Sequence, residues 1–171
     1  MTFIENFTFA EKHMPAVRNA LGNMPAKTFF DIQTAPTKRD MEEATDLILS
    51  VSSGDIAVRI RRNENYLESL KPNRQLDWSV RVKNNGHKTE IDKLQEGFAR
   101  WYFMGWSLDD KAELADWYLI DMDKIRKNNI MKRDYPTHSN YDGTVGKYIQ
   151  IRVLRFNMCI VGECKKVEVV K

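Results

Sequence analysis

The sequence predicts an α+β fold, mixed in places toward α/β, built as one domain. Three observations lead there. The segment Asp77-Trp78-Ser79-Val80-Arg81-Val82-Lys83 alternates strictly, with Trp78, Val80 and Val82 on one side and Ser79, Arg81 and Lys83 on the other, the period of a half-buried strand. From Thr89, the residues Ile91, Leu94, Phe98, Trp101 and Tyr102 form an apolar stripe at helical spacing that continues through Trp106. Helical and strand segments also follow one another in the order α, β, β, β, α, β, (α), β, which makes the class α+β or mixed α/β. A chain of 171 residues holds one core of ordinary size. It divides into an N-terminal helical segment over 1–37, a core over 38–155 and a C-terminal extension over 156–171.

Each element has a local reason. Met14, Val17 and Leu21 make a helical stripe within Phe9–Met24, interrupted by Pro15 and Gly22. Pro36 marks a turn over Thr34–Thr37, and Lys38–Ala44 reads as a short helix or a helical turn, with Asp40 as a candidate start. Asp46–Val51 is short and apolar, a buried strand. Ser52-Ser53-Gly54-Asp55 is turn chemistry, and Ile56–Arg61 alternates apolar and basic residues from Val58, so the two segments predict a β-hairpin. Asn63–Asn73 is polar and irregular, and Asn84-Asn85-Gly86 is a turn. Thr89 followed three residues later by Asp92 is a variant of the capping box that opens a helix. Beyond the acidic loop Asp109–Glu113, Trp117–Met122 predicts a buried strand and Lys124–Met131 a short helix. Thr137–Val145 predicts a loop with a turn at Asp142-Gly143, and Tyr148–Leu154 a strand with Ile149, Ile151 and Val153 on one face.

Composition narrows the function classes. Hydrophobic residues at 42% and charged residues at 30% describe a globular chain and exclude a disordered one. No apolar run is long enough to span a bilayer, and Met1–Ala10 lacks the basic-then-apolar pattern of a secretory signal. The expectation is a cytoplasmic protein with no membrane partner. Cys159 and Cys164 are too few for a disulfide framework, and His13, His87 and His138 have no ligand spacing. Neither a nucleophile elbow nor a Gly-rich phosphate loop is present.

The net charge of +3 conceals blocks. Residues 56–88 carry eight Lys or Arg against three acids, 109–123 carry six acids against one Lys, and 124–171 carry eleven bases against four acids. Two basic blocks can attract phosphate. They can also neutralise the acidic block across the fold.

The runs Glu43-Ala44-Thr45-Asp46-Leu47, Ile56-Ala57-Val58-Arg59-Ile60-Arg61, Trp78-Ser79-Val80-Arg81 and Lys88-Thr89-Glu90-Ile91-Asp92-Lys93-Leu94 read together as one cassette. With Trp117-Tyr118-Leu119-Ile120-Asp121-Met122-Asp123 and Asp142-Gly143-Thr144, the cassette resembles small phage and bacterial proteins of the PD-(D/E)xK nuclease-like fold. The resemblance covers roughly residues 40–155. It implies a restriction-endonuclease-like architecture, a central, mostly meandering sheet flanked by helices around a metal site. It also implies the cytoplasm of a bacterial or phage-infected cell. In that fold an Asp opens the second strand, where Asp46 stands. The third strand carries Glu-x-Lys, where this chain has Arg59-Ile60-Arg61, and Glu90 with Lys93 on the following helix would take its place.

Phosphodiester hydrolysis with Mg²⁺ or Mn²⁺ needs carboxylates close enough to hold a hard cation and a base to stabilise developing charge. Asp46, Asp55 and Glu90 are the candidate metal ligands, and Asp77 is a further carboxylate that could converge with them. Asp46, Glu90 and Lys93 are the candidate catalytic residues, and Arg59, Arg61, Arg81 and Lys83 the candidate contacts to DNA or another nucleic acid. Each has a structural alternative. Asp46 can cap an element, Asp55 can serve its turn, and Glu90 can complement a helix dipole. Lys93 can pair with a neighbouring acid, and the arginines can shield strand edges. The functional alternative is a catalytically inactive protein of the same fold that binds nucleic acid or a host protein.

Overall fold

The computed structural model describes residues 3–24, 32–34, 47–49, 55–62, 76–83, 88–107, 112–140 and 143–165. Its architecture is mixed α+β, with two sheets and short helices around them. The first helix, α1, spans Phe3–Gly22 and carries Pro15 inside it on the solvent side. Strands β1 (Ile32–Thr34), β2 (Leu47–Leu49), β3 (Ile56–Arg61), β5 (Trp101–Ser107), β6 (Leu114–Asp121) and β9 (Ile160–Lys165) form a six-stranded sheet in the order β1-β2-β3-β5-β6-β9. Strands β4 (Asp77–Lys83), β7 (Thr137–Ser139) and β8 (Val145–Gln150) form a second sheet in the order β4-β8-β7. Helices α2 (Glu90–Gln95), α3 (Met122–Lys127) and α4 (Ile151–Phe156) and a single 3-10 turn (Ile130–Lys132) complete the described elements.

The large sheet separates two cores. On one face Val17 and Leu21 of α1 pack with Ile56, Trp101, Phe103, Leu114 and Leu119. On the other, Ala57, Tyr102, Met104, Trp106, Tyr118 and Ile120 meet Trp78 and Val80 of β4, Ile149 of β8, Leu94 of α2, Ile125 of α3 and Leu154 of α4. Strand β3 obeys this division residue by residue, since Ile56, Val58 and Ile60 pack toward α1. Ala57, Arg59 and Arg61 therefore point toward the small sheet.

The β2–β3 hairpin forms as the sequence predicts, with Leu47 opposite Ile56. Beyond it the chain does not meander. β3 takes β5 as its neighbour, in parallel, from Ile56↔Trp101 to Arg61↔Trp106. β4 leaves for the small sheet, where it pairs antiparallel with β8. A parallel pair needs a crossover between its strands, and β4 with α2 provides it.

Three sequence expectations change. The helix begun at Thr89 ends at Gln95, and Trp101–Ser107 is a strand. Gly97 at φ 98° and Ala99 at φ 57° turn the chain out of the helix. Strand β5 is buried at every position because sheet neighbours flank it and cores cover both faces. An aromatic run buried all round has no strand periodicity, so it extends the apparent helical stripe. Strand β8 ends at Gln150, and Ile151–Phe156 is a helix, with Ile151 and Leu154 buried at i, i+3 spacing and Arg152 and Arg155 exposed. Within the expected loop 137–145, Thr137–Ser139 forms the exposed strand β7 on β8. The short helix expected over Lys38–Ala44 lies outside the described residues. No described helix is long and apolar enough to cross a membrane.

Candidate nucleic-acid interface

The basic residues of β3 converge on the open edge of β4. Among the described residues β4 has β8 as its one strand partner, and its other edge carries the Ser79 carbonyl and the Arg81 N–H, which need partners. Side chains supply them. Arg59 Nη1 donates to Ser79 O at 3.3 Å, and the Arg81 N–H donates to Glu90 Oε2 at 2.9 Å. Arg59 Nη2 donates to the same Glu90 oxygen at 2.9 Å, and the Tyr102 hydroxyl donates to Glu90 Oε1 at 2.6 Å. The Arg59–Glu90 ion pair thus stands where a neighbouring strand would stand, with its side chains 32% and 16% exposed.

Glu90 reaches this point because α2 starts there. A six-residue helix has little stability of its own. Burial of Ile91 and Leu94 and a complete capping box hold it. Asp92 Oδ2 accepts from the Thr89 N–H at 3.0 Å and from the Thr89 hydroxyl at 2.5 Å, and the Asp92 N–H donates to Thr89 Oγ1 at 3.2 Å. The Thr89 side-chain bond, and after it the backbone bond, holds the Asp92 carboxyl below the usual carboxylate range. Such a carboxyl takes its proton less readily folded than unfolded. Its stabilisation is complete above the unfolded pKa of about 3.9 and is lost as pH falls through the lower folded value. Thr89→Ala is expected to cost about 1 kcal/mol and to return the Asp92 pKa toward its ordinary value, as read by NMR titration. An unchanged Asp92 pKa would show that Thr89 does not set it.

Arg61 lies two residues further along the same face. It donates to Ser79 Oγ and lies over the Tyr148 ring, with Cζ 5.7 Å from the centroid. Ser79 and Tyr148 are register partners on the face of the small sheet opposite Trp78 and Ile149. Burial, and after it the neighbouring Arg59 charge, lowers the Arg61 pKa. Among the described residues no carboxylate pairs with Arg61, while Arg59 pairs with Glu90. Two guanidinium groups therefore share a half-buried polar seat with one carboxylate. Arg81 is half-buried and Lys83 exposed along the same strand.

Asp46 lies outside the described residues. Asp55 stands just before β3, where its carbonyl accepts from the N–H groups of Arg100 and Trp101 at 2.9 and 3.0 Å. Asp77 opens β4, four residues from Arg81 and so about 13 Å along the strand from the Glu90 contact. Lys93 is half-buried one helical turn after Glu90, but Glu90 is held by Arg59, the Arg81 N–H and Tyr102. No group of three or more potential metal ligands occurs among the described residues. Sequence reasoning missed Ser79, Tyr102 and Tyr148. Ser79 reads as an outward residue, and only the strand register brings Tyr148 beside it. His13 is buried in α1 with Nδ1 2.8 Å from Phe9 O, His138 is exposed on β7, and Cys159 is buried in the core.

No protein-family model matches the chain, and no curated protein matches it in sequence. The fold and site define an α+β protein in which an arginine-rich polar seat closes the gap between two sheets.

Proposed function

We propose that this protein binds nucleic acid through its phosphates at the β3–β4 seat, as a nuclease-like fold used for binding. Arg59 and Arg61 line the seat, and Arg81 and Lys83 extend it. The observation that carries the reading is Arg61, a half-buried guanidinium that pairs with no carboxylate among the described residues. A buried cation is stabilised by an anion partner, and a phosphate oxygen fits the guanidinium fork. The support from the fold is coarse: a mixed sheet with helices against it, which is the general layout the resemblance implies. Binding is favoured over Mg²⁺- or Mn²⁺-dependent hydrolysis because both Glu90 oxygens already accept hydrogen bonds, one of them from a guanidinium that repels a cation.

Fluorescence anisotropy with labelled single- and double-stranded DNA at low salt tests this. Binding should persist in EDTA and weaken steeply with added salt. Arg61→Met, which keeps the length of the stem, should weaken it about ten-fold and reduce the salt slope by about one. Absence of binding to either DNA at low salt would overturn the proposal. Metal-dependent cleavage that Glu90→Gln abolishes would replace it with the nuclease reading.

A further inference from the structure

The turn from α4 into β9 exposes two large apolar side chains, Phe156 at 87% and Met158 at 72%. The backbone around them is well held. The Asn157 N–H and Nδ2 both donate to Val153 O, at 3.1 and 2.7 Å. The Met158 N–H donates to Arg155 O at 2.9 Å, and the Cys159 N–H to Leu154 O at 2.9 Å. From outside the turn, Lys124 Nζ donates to Met158 O at 3.0 Å, and Arg133 Nη2 lies 3.4 Å from Asn157 Oδ1. Met158 has φ 55°, a left-handed conformation rare for a side-chain-bearing residue. A well-bonded turn therefore presents the ring and the thioether to solvent.

The surrounding charge is positive. Arg155 is engaged by Glu163 at 2.5 Å, and Asp123 is engaged by Arg126 at 2.5 Å and Arg100 at 3.3 Å. Lys124, Arg133 and Arg152 make no ion pair among the described residues. An exposed aromatic among unpaired cations matches a ligand with flat π-faces and regular negative charge. A duplex hides the faces of its bases, whereas a single strand offers them.

We propose that the Phe156–Met158 turn is a contact for unpaired nucleobases, with Lys124, Arg133 and Arg152 on the adjoining phosphates. The proposal rests on the nucleic-acid reading and specifies the single strand as its substrate class. It places a second contact at α4–β9, apart from the seat at β3–β4.

The test is anisotropy of the full chain with a labelled oligo(dT) and with a duplex of equal length, for wild type, Phe156→Ala and Phe156→Trp. Phe156→Ala should weaken oligo(dT) binding about ten-fold and leave duplex binding within about two-fold. Phe156→Trp should restore oligo(dT) affinity, with its indole emission quenched on binding. A side chain this exposed carries little packing, so the variants should melt as the wild type does. If the wild type binds duplex and oligo(dT) but Phe156→Ala changes neither, the turn is not a base contact and the nucleic-acid reading stands. If the wild type binds neither DNA, both fail. If poly-glutamate binds the wild type more tightly than oligo(dT), and Phe156→Ala removes that preference, the turn is an acidic-protein contact and the base-stacking proposal is overturned.

Discussion

Replacing Glu90 by alanine should destabilise the protein by about 3 kcal/mol, the low end for breaking a buried pair because this one is partly open to water. The substitution leaves three donors without their acceptor: the Arg59 guanidinium, the Arg81 N–H and the Tyr102 hydroxyl. Each stranded donor near the interior costs a substantial part of its desolvation energy. Glu90→Gln keeps the shape and one acceptor oxygen, and should cost about 1 kcal/mol. Urea unfolding of the three proteins checks the order. A Glu90→Ala midpoint equal to that of the wild type would show that the ion pair does not close the β4 edge. The same experiment bears on function, because a carboxylate this important to stability is committed to the sheet edge.

Trp78→Ala should destabilise the protein by about 4 kcal/mol. Trp78 is fully buried between the sheets and meets the Tyr102 ring edge-on at a centroid distance of 5.4 Å. Its indole Nε1 is buried and makes no hydrogen bond among the described residues. Trp78→Phe therefore gives up volume and no hydrogen bond, and should cost only about 1 kcal/mol. Thermal or urea unfolding distinguishes the two. A Trp78→Phe loss as large as that of Trp78→Ala would mean that the indole N–H has a partner after all.

Local patterns read well wherever one face of an element meets water. The alternation of Asp77–Lys83, the β2–β3 hairpin and the capping box at Thr89 all appear where the residues predict them. The aromatic residues Trp101, Tyr102, Phe103 and Trp106 are core, as their density suggests. They lie on a strand because burial on both faces removes the polar positions that would mark a period of two. Tyr148–Leu154 shows the converse. Strand β8 and helix α4 meet inside it, and Ile149, Ile151 and Val153 satisfy an alternation that the helix does not follow.

Within the site, Arg59, Arg61 and Glu90 stand out in the sequence as charged residues in structured segments, and the structure brings them to one place. Shielding of strand edges, one of the roles open to the arginines, is what Arg59 does at β4. Ser79, Tyr102 and Tyr148 could not be found the same way, because each joins the seat through a strand that is remote in sequence.

By itself the sequence determined the α+β class, the hairpin, the capped start of α2 and the basic character of β3. These follow from side-chain period, turn chemistry and charge, which act over a few residues. Only the tertiary structure decided that β3 pairs with β5 in parallel and that β4 joins a second sheet. It also decided that Glu90 serves the β4 edge and that Phe156 is left in solvent. Those outcomes depend on which strands find each other across tens of residues. The hydrogen bonds of a strand edge are the same for any partner, so the choice falls to packing of the two cores.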